Sequence, residues 1–403
     1  MSARAVSAST VSASTVSAST GAAATALLLG LGAGGLGLGA GPANAALAGP
    51  ANTVSQGPAA SAATGYVVDG ALSSVAAVSA SDAWAVGWTG GTQLALKTLI
   101  LHWNGKSWAP SPGFKPVSGN LIAVTAVSAT SAWAVGWSGT VGSAAGTHTL
   151  LMHWNGKTWG TVTTPKPAAG SFVAVIATAK YGWAAGDTRS GAALVWHWNG
   201  STWKPTAVPA VAGGVGLTGV TESSATSAWA VGGTTNSSLE TTGRLLRWNG
   251  KKWAFVSKFP LGGLGNSLTG VAAGPHGTAW VVGTNASAEN ATVKPVSMRW
   301  TGSAWVKAAG PAAGMFSGVA FVPGGTAWAV GATSAGTLAG TLVTRWSGKA
   351  WSRVSSPDSK SYTLAGVAAT AVSNAWAVGS SIVGELGETL KTLILHWNGK
   401  RWS

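Results

Sequence analysis

Short apolar runs, each only five to seven residues long, recur along most of the chain and are separated by polar, glycine-rich stretches. One phrase, Ala/Gly-Trp-Ala/Val-Val/Ala-Gly, returns at Trp84, Trp133, Trp183, Trp229, Trp280, Trp328 and Trp376, at intervals of 46 to 51 residues. Each copy is followed by Trp-(Asn/Thr/Ser)-Gly-x-x-Trp, with tryptophan pairs at 103/108, 154/159, 198/203, 248/253, 300/305, 346/351 and 397/402. A fixed period of this length is the signature of a repeat architecture. The pattern inside a unit predicts four strands. The first is apolar, as at 72–78 or 364–369. A short polar turn leads to the second, 83–87 in the first unit. A long, variable Gly/Ser/Thr-rich loop precedes the third, 98–103, where Leu99, Leu101 and Trp103 alternate with Ile100 and His102.

Asn104-Gly105 then reads as a two-residue hairpin turn. That turn predicts Trp103 opposite Lys106 and Leu101 opposite Trp108, with a fourth strand from Lys106 through Trp108, stopped by Pro110 and Pro112. In the fourth unit the same register sets Arg247 against Lys252, two like charges.

Four-stranded sheets of this size cannot bury both faces alone. Radial stacking solves the problem and gives an all-β, seven-bladed β-propeller of four-stranded antiparallel blades. The tryptophans become wedges between neighbouring blades. The expected blades lie at about 71–117, 121–167, 171–213, 216–262, 267–313, 315–361 and 363–403. The last unit stops soon after Trp402. The stretch 52–58 resembles the strand it lacks, so the ring is expected to close by pairing 52–57 with 397–402.

The amino terminus reads differently. VSAST occurs three times within residues 6–20, an apolar Gly/Leu-rich run follows from Ala22 to Ala40, and Pro42 breaks it. Ala43-Asn44-Ala45 and Ala46-Leu47-Ala48 offer small-x-small cleavage sites. Residues 1–45 are expected to be a secretory signal peptide and 46–403 the propeller. The protein is then expected to be secreted and extracellular, a monomer, with no membrane span in the mature chain; a retained leader would act as an anchor instead.

Composition narrows the chemistry. Charged residues make up 8% of the 403, against roughly 25% in an average soluble domain. There is no cysteine, which excludes disulfides, thiolate metal sites and a cysteine nucleophile. Nine acidic residues leave little material for acid–base chemistry. No Ser–His–Asp context, spaced carboxylate pair or phosphate-binding loop is visible, so no catalytic residue, metal site or cofactor is assigned. The net charge of +15 comes from scattered residues, many in the Gly-Lys turns, without a nucleic-acid motif. It suits solubility and a weak attraction to cell-wall polyanions.

The repeat resembles the kelch repeat, in which a hydrophobic second strand ends in Gly-Gly, a third strand ends in Tyr-Asp, and a tryptophan follows in the fourth. The corresponding residues here are Trp-Ala-Val-Gly, then Trp-Asn-Gly, then Trp, over residues 52–403. The resemblance implies the propeller fold and is poor for function. Only Gly232-Gly233 supplies the double glycine, and the Tyr-Asp pair is replaced throughout. The family includes galactose oxidase, whose copper site needs a cysteine–tyrosine crosslink that this chain cannot make. Sialidase boxes and the Trp-Asp of WD repeats are absent. The closer likeness is to Trp-rich, seven-repeat secreted bacterial proteins of undefined activity.

Two features remain as candidate chemistry. The residue before the third-strand tryptophan is basic in every unit: His102, His153, His197, Arg247, Arg299, Arg345 and His396. Interchange of His and Arg speaks against metal ligation. The favoured reading is a repeated hydrogen bond to backbone on the adjacent blade. Second, the long loops between strands two and three and between units share one face, where variable loops on a rigid scaffold carry function. Trp88 and Trp137 stand at its edge, four residues past their marker tryptophans, in adjacent units. The expectation is a non-catalytic binding or scaffold protein that engages a glycan or other surface ligand through Trp88 and Trp137. A carbohydrate-active or oxidative enzyme with loop-borne residues is the alternative, and a structural partner for another exported protein the third reading.

Overall fold

The computed structural model describes residues 66–403 except 91–95, 141–145, 164–168, 212–213, 237–240, 258, 262–264, 275–276, 286–292, 323–325, 335–338, 358–360 and 384–388. The leader 1–45 and the segment 52–58 therefore lie outside the described residues. The rest is all-β: seven antiparallel sheets with strands in sequence order, arranged in a ring. In blade 1 the strands are Gly70–Ser79, Asp82–Thr89, Lys97–Trp103 and Trp108–Pro110. Among the described residues no helix is long and apolar enough to cross a membrane.

The hydrophobic core is divided into seven, each part lying between two blades. Alternation along the second strand explains this. Trp84 and Val86 face blade 2, while Ala83 and Ala85 face blade 7. The marker tryptophans are at most 4% exposed. Each inserts against the tryptophan pair of the following blade. Trp84 meets Trp154 and Trp159 with ring centroids 5.0 and 5.4 Å apart, and this contact repeats around the ring. Trp376 of blade 7 completes it against Trp103 and Trp108 of blade 1, at 4.8 and 5.2 Å. Edge-to-face and tilted packing of this kind suits the quadrupole of the indole ring.

The glycine of the marker phrase has a local cause. The first strand bulges between Leu72 and Ser74, which brings its backbone close to Gly87. A Cβ on Gly87 would stand 2.0 Å from the carbonyl oxygen of Ala71. Only glycine fits so close an approach.

The outer hairpin corrects the sequence reading. Trp103 pairs with Trp108, His102 with Ala109 and Leu101 with Pro110, so the loop has four residues rather than two, and the fourth strand begins at Trp108 rather than Lys106. The Asn104 side-chain oxygen accepts the backbone N–H groups of Lys106 and Ser107 at 2.9 and 3.0 Å. That Asx arrangement holds the longer loop, with Gly105 at φ +89°. Thr301 and Ser347 accept from the loop backbone with their hydroxyls instead. The like-charge pair vanishes as well, because Arg247 opposes Ala254.

At the junction of the ends, Ser403 and His396 exchange two backbone hydrogen bonds and Trp402 bridges to Trp397, beginning a fourth strand for blade 7. Thr392 N–H donates to the Val68 carbonyl at 3.0 Å, and Asp69 bridges to Lys391. In blade 1 the stretch leading into blade 2 does the same, with Thr98 N–H bonded to Val117 and Ser118 bridged to Lys97.

Candidate functional site

The four histidines of the third strand each pack against the marker tryptophan of their own blade. Register pairs His102 with Trp84, and the two rings stack 4.0 Å apart at 19°. His153, His197 and His396 repeat the contact at 4.1, 4.4 and 4.1 Å. Three of the imidazoles also bond to the side chain two residues before the marker: His102 Nε2 to Asp82 at 2.8 Å, His153 to Ser131 at 3.1 Å, His396 to Asn374 at 2.8 Å. The partner is thus a side chain on the same blade. The expected bond to backbone on the adjacent blade is not what these three residues make, because the strand register sets each imidazole beside the side chain that opens its own second strand. Burial holds the imidazoles of His153, His197 and His396 below the ordinary value, so they are neutral at neutral pH. Arg247 and Arg345 use their charge instead, with guanidinium carbons 5.0 and 5.7 Å from the ring centres of Trp229 and Trp328.

Trp88 and Trp137 close the second strands of blades 1 and 2, paired with Ala71 and Thr98 and with Asn120 and Thr149. Both are half-buried. Neither belongs to an inter-blade core, and their two rings do not touch. Trp196, the other tryptophan outside the repeat, is a core residue packed at right angles to Phe172. In blade 3 the position of Trp88 and Trp137 is taken by Asp187, four residues past Trp183. The sequence reading missed this carboxylate, although the same offset count finds it. Asp187 is 8% exposed, accepts a long bond from Ser171 Oγ at 3.5 Å, and borders Gly216 of blade 4. Burial pushes its carboxyl up to about 6. Blades 1 to 3 therefore carry two indoles and one acid at one level of the long-loop end, each aimed at the next blade. Among the described residues no three His, Asp or Glu side chains gather as a metal site would require.

A second concavity, also unforeseen, lies at the opposite end. It is a groove of about 700 Å³ between blades 4 and 5, edged by Arg247, Phe255, Phe259 and Trp300.

No protein-family model matches the chain, and no curated protein sequence does. Solved structures do. A xyloglucanase of glycoside hydrolase family 74 from Xanthomonas campestris aligns with a TM-score of 0.57 and 13% identity, over 84% of this chain and 55% of its own. The lectin BP39L from Burkholderia pseudomallei aligns at 0.53 and 13%, over 82% of this chain and 97% of its own. The likeness is one of fold. A puromycin hydrolase aligns at 0.51 and 11%, over 82% of this chain and 53% of its own. The chain thus spans about half the length of the two hydrolases.

Proposed function

We propose that the protein is a non-catalytic glycan-binding propeller whose ligand docks at the long-loop end, against Trp88 and Trp137. One observation carries this reading. Two indoles recur at one offset in adjacent blades, half-exposed and outside the inter-blade cores that hold the repeat tryptophans. Large aromatic side chains that are not needed for packing are suited to anchor a ligand. The apolar C–H face of a pyranose stacks on such a ring, and Asp187, ionised above about pH 6, accepts hydroxyl hydrogen bonds beside it. The fold itself serves a lectin and a xyloglucanase, which supports a carbohydrate ligand without deciding it.

Export of the mature chain after Ala45 or Ala48, a kelch-type origin for the repeat, and a monomeric state belong to the same proposal. So does a salt-sensitive attraction of the +15 chain to wall polyanions.

The test is a glycan array with the mature chain, followed by the double variant W88A/W137A. Retention should fall at least tenfold, worth about 1.4 kcal/mol. Unchanged retention removes the site. The enzyme reading keeps one observation in its favour, the carboxyl of Asp187 raised to about 6 at the long-loop end. Release of reducing sugar from a retained glycan, abolished by D187N, would replace the binding reading with that one.

A further inference from the structure

The basic ring divides into two kinds of position. Where it carries histidine in blades 1, 2 and 7, the side chain is bonded to its own blade. Arg247 differs. Its guanidinium lies over Trp229 at 5.0 Å and near Trp300 of the next blade at 5.7 Å, and it makes no hydrogen bond or ion pair with any described residue. A stacked guanidinium keeps its N–H donors in the ring plane, pointing outward, in the fork that matches a carboxylate. Arg247 lines the groove between blades 4 and 5, whose volume of about 700 Å³ is that of a small-ligand site.

The groove exists because of what the neighbouring segments do. Between blades 1 and 2 the chain after the fourth strand folds over the next hairpin, where Ser111 Oγ accepts the indole N–H of Trp159 at 3.1 Å. Between blades 5 and 6 it is fastened there, with Trp351 N–H bonded to the Ala309 carbonyl at 2.9 Å. Between blades 4 and 5 Phe259 instead packs edge-on against Trp305 at 5.6 Å and becomes a wall. The lining combines these aromatic faces with the polar groups of Asn249, Ser257 and Ser303, and includes no acid. Lys251 and Lys252 stand in the adjoining turn. Blade 6 has a smaller concavity of about 520 Å³ around Arg345 and Trp346, lined by its own residues alone.

We propose that the groove between blades 4 and 5 is a second binding site, selective for an acidic sugar. Arg247 holds the carboxylate of a uronate-type pyranose, whose C–H face rests on Trp300 and Phe255 while its hydroxyls meet Asn249, Ser257 and Ser303. The ligand class, a glycan, rests on the reading above; the site does not, because it shares no residue with Trp88 and Trp137.

Calorimetric titration tests it, with an oligogalacturonate and its methyl ester, which has the same backbone without the charge. The wild-type chain should bind the acid at least tenfold more tightly than the ester. R247H is the decisive variant. Histidine fills this position in four blades, and Ser227 matches the Ser131 that partners His153, so the fold tolerates it. An exposed imidazole is uncharged at pH 7.5, and R247H should lose at least tenfold in affinity for the acid while W88A/W137A loses none. Equal binding of acid and ester, equal binding by R247H, or no binding of either sugar overturns the proposal. So does loss in W88A/W137A alone, which would assign the acid to the long-loop end. If W88A/W137A abolishes retention of neutral glycans while R247H alone loses the acid, both sites stand.

Discussion

Glu222 occupies a position that the six other blades fill with Ala77, Ala126, Ala177, Ala273, Phe321 and Ala369. Both of its carboxyl oxygens are buried without a hydrogen-bond partner, and desolvation pushes the group up to about 8. The carboxyl is therefore protonated in the folded chain at neutral pH and ionised in the unfolded chain, where its value is 4.5. Between those two values the native state holds one proton more, so stability declines as the pH rises from about 4.5 to about 8 and levels off beyond. E222A replaces the acid by the residue most other blades use. It should raise the melting temperature at pH 8, by on the order of a few kcal/mol of stability, and leave it nearly unchanged at pH 4. Thermal melts of both chains across that range check the slope; parallel profiles would mean that the carboxyl is hydrated.

At the scale of the element, the outer hairpin shows how far sequence carries and where it stops. Its glycine was legible, because Asn-Gly marks a position of positive φ. Its length was not, since the same dipeptide serves a two-residue turn and an Asx loop, and the side chain's two bonds to backbone decide between them. N155A should cost about 1 kcal/mol, since two backbone donors lose their acceptor, whereas N155S should retain part of it as Ser347 does. Denaturant melts of the two variants separate them. Strand order, blade number and the wedge role of the tryptophans were all readable, because periods of two and of about fifty residues dominate the pattern. The partner of each histidine was not, since it depends on which face of the third strand meets the start of the second. The Arg247 groove was hidden for a related reason. Whether the space between two blades is filled or open depends on how one variable connection folds, and Ser111, Ala309 and Phe259 make three different choices there.

At the scale of the molecule, seven tryptophan triads join the blades, and each blade is both host and guest. Open repeat arrays have uncapped ends and can fray. Here Trp376 ties the seventh blade to the first, so no blade is terminal. W376A removes a ring only 1% exposed and should cost about 3–5 kcal/mol, with unfolding still in one transition. Guanidinium titration followed by dichroism checks both parts; a separate early transition would mean that the seventh blade detaches alone. The triads also make the protein its own optical gauge. Indoles held about 5 Å apart share their electronic excitations, so the ultraviolet spectrum of the native chain carries a coupled signal that isolated tryptophans lack. With seven near-identical sources, parting a single junction dims that signal by a countable fraction, and the integrity of the circle can be followed without a label.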